Sequence, residues 1–338
     1  MLTRGIDSFA NFLWTKFTDG YVGRQWRRNG DLMDLKIKGK IIGLLGGLYT
    51  VRVKDGEGYR EISCRARGAF RHGNLSPMVG DDVTLDVSDG EQNAVIEEIC
   101  ERKNSLIRPP LANLDTVFVT MAASSPKPML DMTDKLTAIL EHNNVTPVIV
   151  VGKCELDREY AALIKETYEK AGYKVFVLSC ATGEGVDEIQ EYINNSLGGN
   201  IAAFAGASGV GKSTLMNKLF PSLELGTGDV SRKTARGRHT TRAVTLYPIR
   251  ESLYLADTPG FSMLDFERFD FFDLEQLPLC FPEINERIGE CKYTKCTHLR
   301  EEGCAIVDAV KRGEIAKSRH ESYVSLYETL KNKHKWDK

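Results

Sequence analysis

Gly206-Ala207-Ser208-Gly209-Val210-Gly211-Lys212-Ser213 is the stretch that decides the fold. It fits G-x4-G-K-[ST], directly after the apolar run Ile201–Ala205 and directly before a helical stretch, Lys212–Phe220. The chemistry needs this order. Glycines let the backbone wrap an anion, successive N–H groups and the helix N-terminus face the phosphates, Lys212 reaches the outer phosphates and Ser213 ligates Mg²⁺, with Thr214 beside it.

On both sides of this loop the chain alternates apolar runs with helical stretches. The runs are Thr116–Met121, Pro147–Val151, Lys174–Leu178, Ile201–Ala205, Val244–Pro248 and Ser252–Ala256; the helical stretches are Leu130–Asn143, Arg158–Ala171, Val186–Ser196 and Lys212–Phe220. Near-continuous apolar strands between helices imply a mostly parallel sheet covered on both faces, expected over 108–265. Before it, five short β-rich runs separated by Gly- and Asp-bearing turns fill 37–107, which suggests a five-stranded OB-like barrel, with a plain β-meander as the alternative. Residues 1–36 show no sustained period and read as an N-terminal extension of unclear role. From Phe266 the strands stop, and 266–338 should form a helical domain whose last helix carries Tyr323, Leu326, Tyr327 and Leu330 as one apolar stripe. The fold class expected is a multidomain α/β chain.

Two further segments fit a nucleotide triphosphate switch. The run Leu253–Ala256 ends in Asp257-Thr258-Pro259-Gly260, where Asp257 can hold Mg²⁺ and the Gly260 N–H can meet a γ-phosphate. Between the two motifs, Leu225–Arg242 is poor in apolar anchors and ends in Gly237-Arg238-His239-Thr240-Thr241, where Thr240 or Thr241 is the natural Mg²⁺ partner. Elements that read a base should follow these, yet they precede them. One strand runs into Gly152-Lys153-Cys154-Glu155, where Asn-Lys-x-Asp is expected, and the next into Ser179-Cys180-Ala181, where Ser-Ala-x is expected. The order is base loop, second base loop, P-loop, first switch, second switch: a circularly permuted GTPase domain.

Composition limits the rest. The chain has 338 residues with 45 Lys and Arg against 47 Asp and Glu, net −2, which excludes a uniformly basic nucleic-acid binder but not a basic patch. No run approaches the ~20 apolar residues of a membrane helix, and the start is too polar for a signal-peptide core, so the cytoplasm is the expected address. Of eight cysteines, Cys64, Cys100, Cys154, Cys180 and Cys280 are scattered as small hydrophobes. Cys291-x4-Cys296-x-His298-x5-Cys304 is different. Three thiolates and an imidazole close a tetrahedral shell, so one structural zinc is expected. Arg60, Arg65, Arg67 and Arg71, with Lys311, Arg312, Lys317, Arg319 and the Lys331–Lys338 tail, are candidate RNA phosphate contacts, although most read singly as solvated surface charge.

Over roughly 38–332 the sequence resembles the bacterial ribosome small-subunit-dependent GTPase A family. The resemblance rests on the barrel-like segment, the link Arg102-Lys103-Asn104…Arg108-Pro109…Asn113-Leu114-Asp115, the permuted motif order, Gly237–Thr241, Asp257–Phe261 and the Cys/His cluster. It implies a Mg²⁺-dependent GTPase that is stimulated by the small ribosomal subunit, acts in its late maturation, and touches rRNA through the barrel and zinc domains. It also implies that Phe261 stands where Ras-like proteins place a water-orienting Gln, which makes His239 the candidate for that role beside Lys212. Two departures stand in the base motif: Gly152 for Asn and Glu155 for Asp. A carboxylate still faces the guanine N1 and N2 protons, so GTP and GDP remain the expected ligands, with selectivity weakened or differently supported. The expected partners are the small subunit and its rRNA, with no membrane and a monomeric chain. The rival reading is an RNA-binding assembly module that keeps the nucleotide as a structural ligand; a P-loop kinase is disfavoured because no phosphoacceptor lid is evident.

Overall fold

Alternation of buried and exposed side chains sets the first unit. In the computed structural model, which describes residues 36–71, 75–106, 109–197, 201–223, 244–257 and 272–333, five strands run as β1 (Lys36–Leu45), β2 (Leu48–Asp55), β3 (Gly58–Ala66), β4 (Asp82–Asp86) and β5 (Val95–Ile99). They pair in the order β1-β2-β3-β5-β4, and β4 returns antiparallel onto β1, so the sheet closes on itself. Only β3 and β5 run parallel, at Arg65↔Val95 and Ala66↔Ile96. A closed five-stranded barrel with one parallel seam is the OB topology, and the plain meander is set aside. Its interior is Ile41, Val51, Val53, Ile62, Val83, Leu85 and Ile96, all at or near zero exposure. Gly39 is there because a β-carbon would lie 2.6 Å from Val51 Cγ1 and 2.7 Å from Val53 Cγ1, too close for any side chain. Asp81, wholly buried, accepts from the Met78 N–H at 2.8 Å and from Arg102 Nε at 2.6 Å, which ends the unit at Arg102.

The second unit begins at Lys103. A two-stranded hairpin, β6 (Ser105–Leu106) with β7 (Leu111–Ala112), leads into β8 (Leu114–Ala122). Here the link motif is structural. Asn104 bonds both ways with Leu114, at 2.8 and 3.0 Å, Lys103 pairs with Asp115 at 2.8 Å, and Asp115 also accepts from the Ile201 N–H at 2.9 Å. Then follow α1 (Leu130–His142), β9 (Thr146–Gly152), α2 (Arg158–Lys170), β10 (Lys174–Val177), α3 (Val186–Ser196), β11 (Ile201–Ala205), α4 (Lys212–Leu219), β12 (Thr245–Arg250) and β13 (Leu253–Asp257). Within this unit the order is β10-β9-β8-β11-β13-β12, parallel except that β12 runs antiparallel to β13.

Two cores lie within it. One joins α3 and α4 to strand residues, with Phe118 stacked on Phe204 at 4.7 Å. The other joins Ala138 and Ile139 of α1 to the C-terminal helices α5 (Pro282–Asn285), α6 (Ala305–Lys311) and α7 (Lys317–Lys333). The α7 stripe is seated as its spacing predicts: Tyr323, Leu326 and Leu330 are buried and Tyr327 packs beside them. Cys280 also lies in this core. Residues 1–35, His239, Thr240, Thr241, Gly260, Phe261 and the chain beyond 333 lie outside the described residues, as do Arg108 and the side chain of Arg71.

Candidate nucleotide site and Cys3His centre

Every described phosphate- or base-reading residue expected from sequence falls on one edge of the parallel sheet, outside the carboxyl ends of its strands, where open α/β sheets bind ligands. The P-loop follows β11, Asp257 ends β13, Gly152–Glu155 follows β9 and Ser179–Ala181 follows β10. The P-loop is wound by left-handed glycines: φ is +143° at Gly206, +79° at Gly209 and +105° at Gly211, which caps α4. At Gly206 a β-carbon would lie 2.0 Å from the Thr120 carbonyl oxygen, so the loop leaves β11 pressed against β8. Lys212 Nζ donates to the carbonyls of Gly206 at 2.7 Å and Ala207 at 2.9 Å, curled into the loop it would leave for a phosphate. Burial lowers its pKa. Ser213 and Thr214 stand in the first turn of α4, the positive end of the helix dipole.

The base loops are tied to each other and to the P-loop. Leu178 N–H donates to Val151 O at 2.9 Å and Cys154 N–H to Leu178 O at 3.2 Å. Lys153, at φ +55°, donates Nζ to Ser125 O at 2.6 Å and to Gly209 O at 2.8 Å. Lys218 of α4 donates Nζ to Cys180 O at 2.9 Å. Neither lysine's bracing role was expected from sequence, because a lysine on a polar loop or helix face carries no such signal. Glu155 keeps one carboxylate oxygen, Oε2, buried with no hydrogen-bond partner among the described residues. An orphaned acceptor is what a site for a base with N–H donors requires, so the residues present fit a guanine.

The Cys3His segment is assembled as the spacing predicts. Donor atoms of Cys291, Cys296, His298 and Cys304 lie within 4.8 Å of one another. Cys291 Sγ is 3.9 Å from Cys304 Sγ, and His298 Nδ1 lies 3.5 and 3.6 Å from those two sulfurs. A tetrahedron with metal–sulfur bonds of about 2.3 Å and a metal–nitrogen bond of about 2.0–2.1 Å has edges of about 3.8 and 3.5 Å, so the donors fit zinc. His298 sits at φ +61°, and the surrounding turn is built by Glu301, whose carboxylate accepts from the N–H groups of Thr297 at 2.8 Å, Leu299 at 2.9 Å and Arg300 at 3.1 Å. Against its burial, those bonds and the Thr297 hydroxyl hold the Glu301 carboxyl down to about 2. His320 Nε2 donates to His298 O at 2.7 Å and Tyr323 to Thr297 O at 3.0 Å, so α7 grips the knuckle.

One candidate RNA contact is corrected. Arg319 has 1% side-chain exposure and pairs with Asp134 at 2.8 Å and Glu283 at 2.8 Å, under Phe281, Tyr173 and Tyr168. Its guanidinium cannot reach an RNA phosphate. Arg60 and Arg67 on the barrel, and Lys311, Arg312 and Lys317, pair with neighbouring carboxylates at the surface.

A P-loop strand flanked on one side by the β8, β9 and β10 strands that carry the base loops, with the base loops earlier in the chain than the P-loop, defines a circularly permuted P-loop GTPase. Comparison with known proteins agrees. Residues 99–267 match the family model described as RsgA GTPase, and residues 38–96 match the RsgA N-terminal domain. The small ribosomal subunit biogenesis GTPase RsgA of Clostridium beijerinckii is 40% identical over 303 residues, covering 89% of this chain and 100% of that one. A crystal structure of YloQ, described as a circularly permuted GTPase, superposes with a TM-score of 0.68 at 33% identity over 87% of this chain and 95% of that one. The crystal structure of YjeQ from Thermotoga maritima gives 0.70 at 32% identity over 88% and 99%. The chain belongs to the RsgA GTPase family, and it is a GTPase.

Proposed function

We propose that the chain binds the small ribosomal subunit and couples GTP hydrolysis to its late assembly, contacting rRNA through the barrel and the Cys3His segment. The observation that carries the GTP part is the single edge on which the P-loop, Asp257 and both base loops converge, with Glu155 presenting a buried oxygen that has no partner among the described residues. In this reading the N–H groups from Gly206 to Thr214 and the Lys212 ammonium hold the phosphates, Glu155 accepts from the base, and Gly152, Lys153 and Ser179–Ala181 shape its pocket. Ser213 and Asp257, with Thr240 or Thr241, hold Mg²⁺, which when bound neutralises developing phosphate charge. His239 orients water, and Gly260 meets the γ-phosphate. Zinc, held by Cys291, Cys296, His298 and Cys304, is structural.

Support for an RNA surface comes from the barrel. Across β1, β2 and β3 the outward positions bring Lys38, Lys40, Arg52 and Lys54 together, and the Arg52 guanidinium lies 3.8 Å over the Tyr59 ring. Basic side chains interleaved with an aromatic suit a nucleic-acid backbone and an unpaired base. The site of action in this reading is the cytoplasm and the chain a monomer; no described helix is long and apolar enough to cross a membrane.

Steady-state phosphate release with and without small subunits tests this. Subunits should raise turnover, Lys212→Ala should abolish it, and His239→Ala should cut the stimulated rate by about 10² or more, the size of lost positioning or acid–base help. Turnover that small subunits leave unchanged would favour the assembly module that merely holds its nucleotide.

A further inference from the structure

The turn after β10 contains one peptide unit that its own hydrogen bonds leave unfixed. Ser179 N–H donates to Glu184 O at 2.9 Å, Gly183 N–H to Ser179 O at 2.9 Å, Thr182 N–H to Ser179 Oγ at 3.1 Å and Glu184 N–H to Thr182 Oγ1 at 3.3 Å. These bonds anchor every unit of the turn except Cys180–Ala181. Its N–H, on exposed Ala181, makes no hydrogen bond among the described residues, and its carbonyl is held from outside the turn by the Lys218 ammonium at 2.9 Å. In a trans peptide the C=O and N–H point in opposite directions. Holding the carbonyl toward α4 therefore turns the Ala181 N–H the other way.

The loop that carries Glu155 is joined to this turn by the Cys154 N–H, which donates to Leu178 O at 3.2 Å. The two joined loops thus offer an acceptor, the Glu155 carboxylate, on one and a donor, the Ala181 N–H, on the other. Guanine offers the matching pair, an O6 acceptor next to N–H donors, whereas adenine offers a donor at N6. A site whose polar groups match one base leaves them unpaired with the other, and that is where strong discrimination comes from. With Gly152 supplying no side chain to brace the loops, the bracing falls to two ammonium groups, Lys153 on the P-loop and Lys218 on the second base loop.

We propose that Lys218 is the positioning residue for guanine selectivity: by holding the Cys180 carbonyl it aims the Ala181 N–H at the guanine O6. This rests on the reading of the edge site as a GTP site. Lys218 itself touches no nucleotide, and its ammonium–carbonyl bond is charge-assisted although exposed to water.

The test uses the full chain, with dissociation constants for GTP, ITP and ATP measured by competition against a fluorescent GDP, for the wild type, Lys218→Met and Lys218→Arg. GTP and ITP both carry O6, so Lys218→Met should weaken both by up to about tenfold, the upper size of one lost neutral hydrogen bond. ATP affinity should not change, and Lys218→Arg should restore the guanine preference. Lys218 is exposed, so the fold should survive, and the melting temperature checks it. A guanine-selective wild type whose GTP-to-ATP ratio is unmoved by Lys218→Met overturns the role of Lys218 alone. Equal losses for GTP and ATP overturn it too, since the lysine would then act through the P-loop helix. A wild type that binds ATP as well as GTP overturns the base-site reading and the proposal with it.

Discussion

At Gly206 a β-carbon would sit 2.0 Å from the Thr120 carbonyl oxygen, with the backbone at φ +143°. Neither can relax without moving β8 or the P-loop, because Thr120 is buried in a central strand. Gly206→Ala should therefore keep the fold but displace the loop. Strain of about 1–3 kcal/mol at such a backbone position translates to a loss of about tenfold or more in nucleotide affinity, read by calorimetric titration with GDP. Gly152 makes the contrast. A β-carbon there would meet only Val210 O at 3.5 Å and Met121 O at 3.6 Å, ordinary contacts, so Gly152→Ala should strain neither loop and should cost less GDP affinity than Gly206→Ala. Equal losses in both variants would show that loop strain does not set phosphate affinity.

Helices α1 and α7 show what sequence reading can and cannot reach. The strands and helices of the edge site were legible because apolar runs, glycines and polar motifs repeat in a fixed order. Arg319 was misread for a physical reason. It follows Lys317 and Ser318 in a polar run, while its partners Asp134 and Glu283 are distant in sequence and meet it only when α7 packs on α1. One local signal existed: 319, 323, 326 and 330 share the helical stripe that is otherwise apolar. Lys153 and Lys218 left no such trace, since their acceptors are backbone carbonyls of any residue type. Although burial opposes its charge, Asp134 and Glu283 hold the Arg319 guanidinium charged. Removing it leaves two buried carboxylates uncompensated, near a Glu141 whose pKa burial already raises. Arg319→Met should cost about 3–5 kcal/mol in urea unfolding at neutral pH. A deficit that is small at neutral pH would show that these ion pairs do not hold α7 in place.

On the scale of the whole chain, the Cys3His knuckle is continuous with the GTPase domain and separate from the rest of its interior. Cys304, Tyr323 and Leu326 share one core with Ala138 and Ile139 of α1, whereas α3 and α4 pack in the other core. The segment from Cys291 to Cys304 is largely polar, half of it exposed and only His298 and Cys304 buried, so burial alone supplies little to fold it. Metal binding can supply about 10–16 kcal/mol in such small sites, and the donors are already within reach of one ion. Burial and neighbouring thiols push Cys296 up to about 12, so without metal this thiol is protonated and zinc must displace its proton to bind. Protein purified without chelator should contain one zinc per chain. Its removal should accelerate amide exchange through 291–304, α6 and α7, and then on the face of α1 that α7 covers, where Arg319 and Tyr323 would lose their grip. Exchange in α3, α4 and the barrel should hold, because none of them contributes to that core. Cys296→Ser should reproduce the pattern. Exchange that rises uniformly along the chain would make the cluster a keystone of the entire fold, and a chain that carries no zinc would remove its structural role.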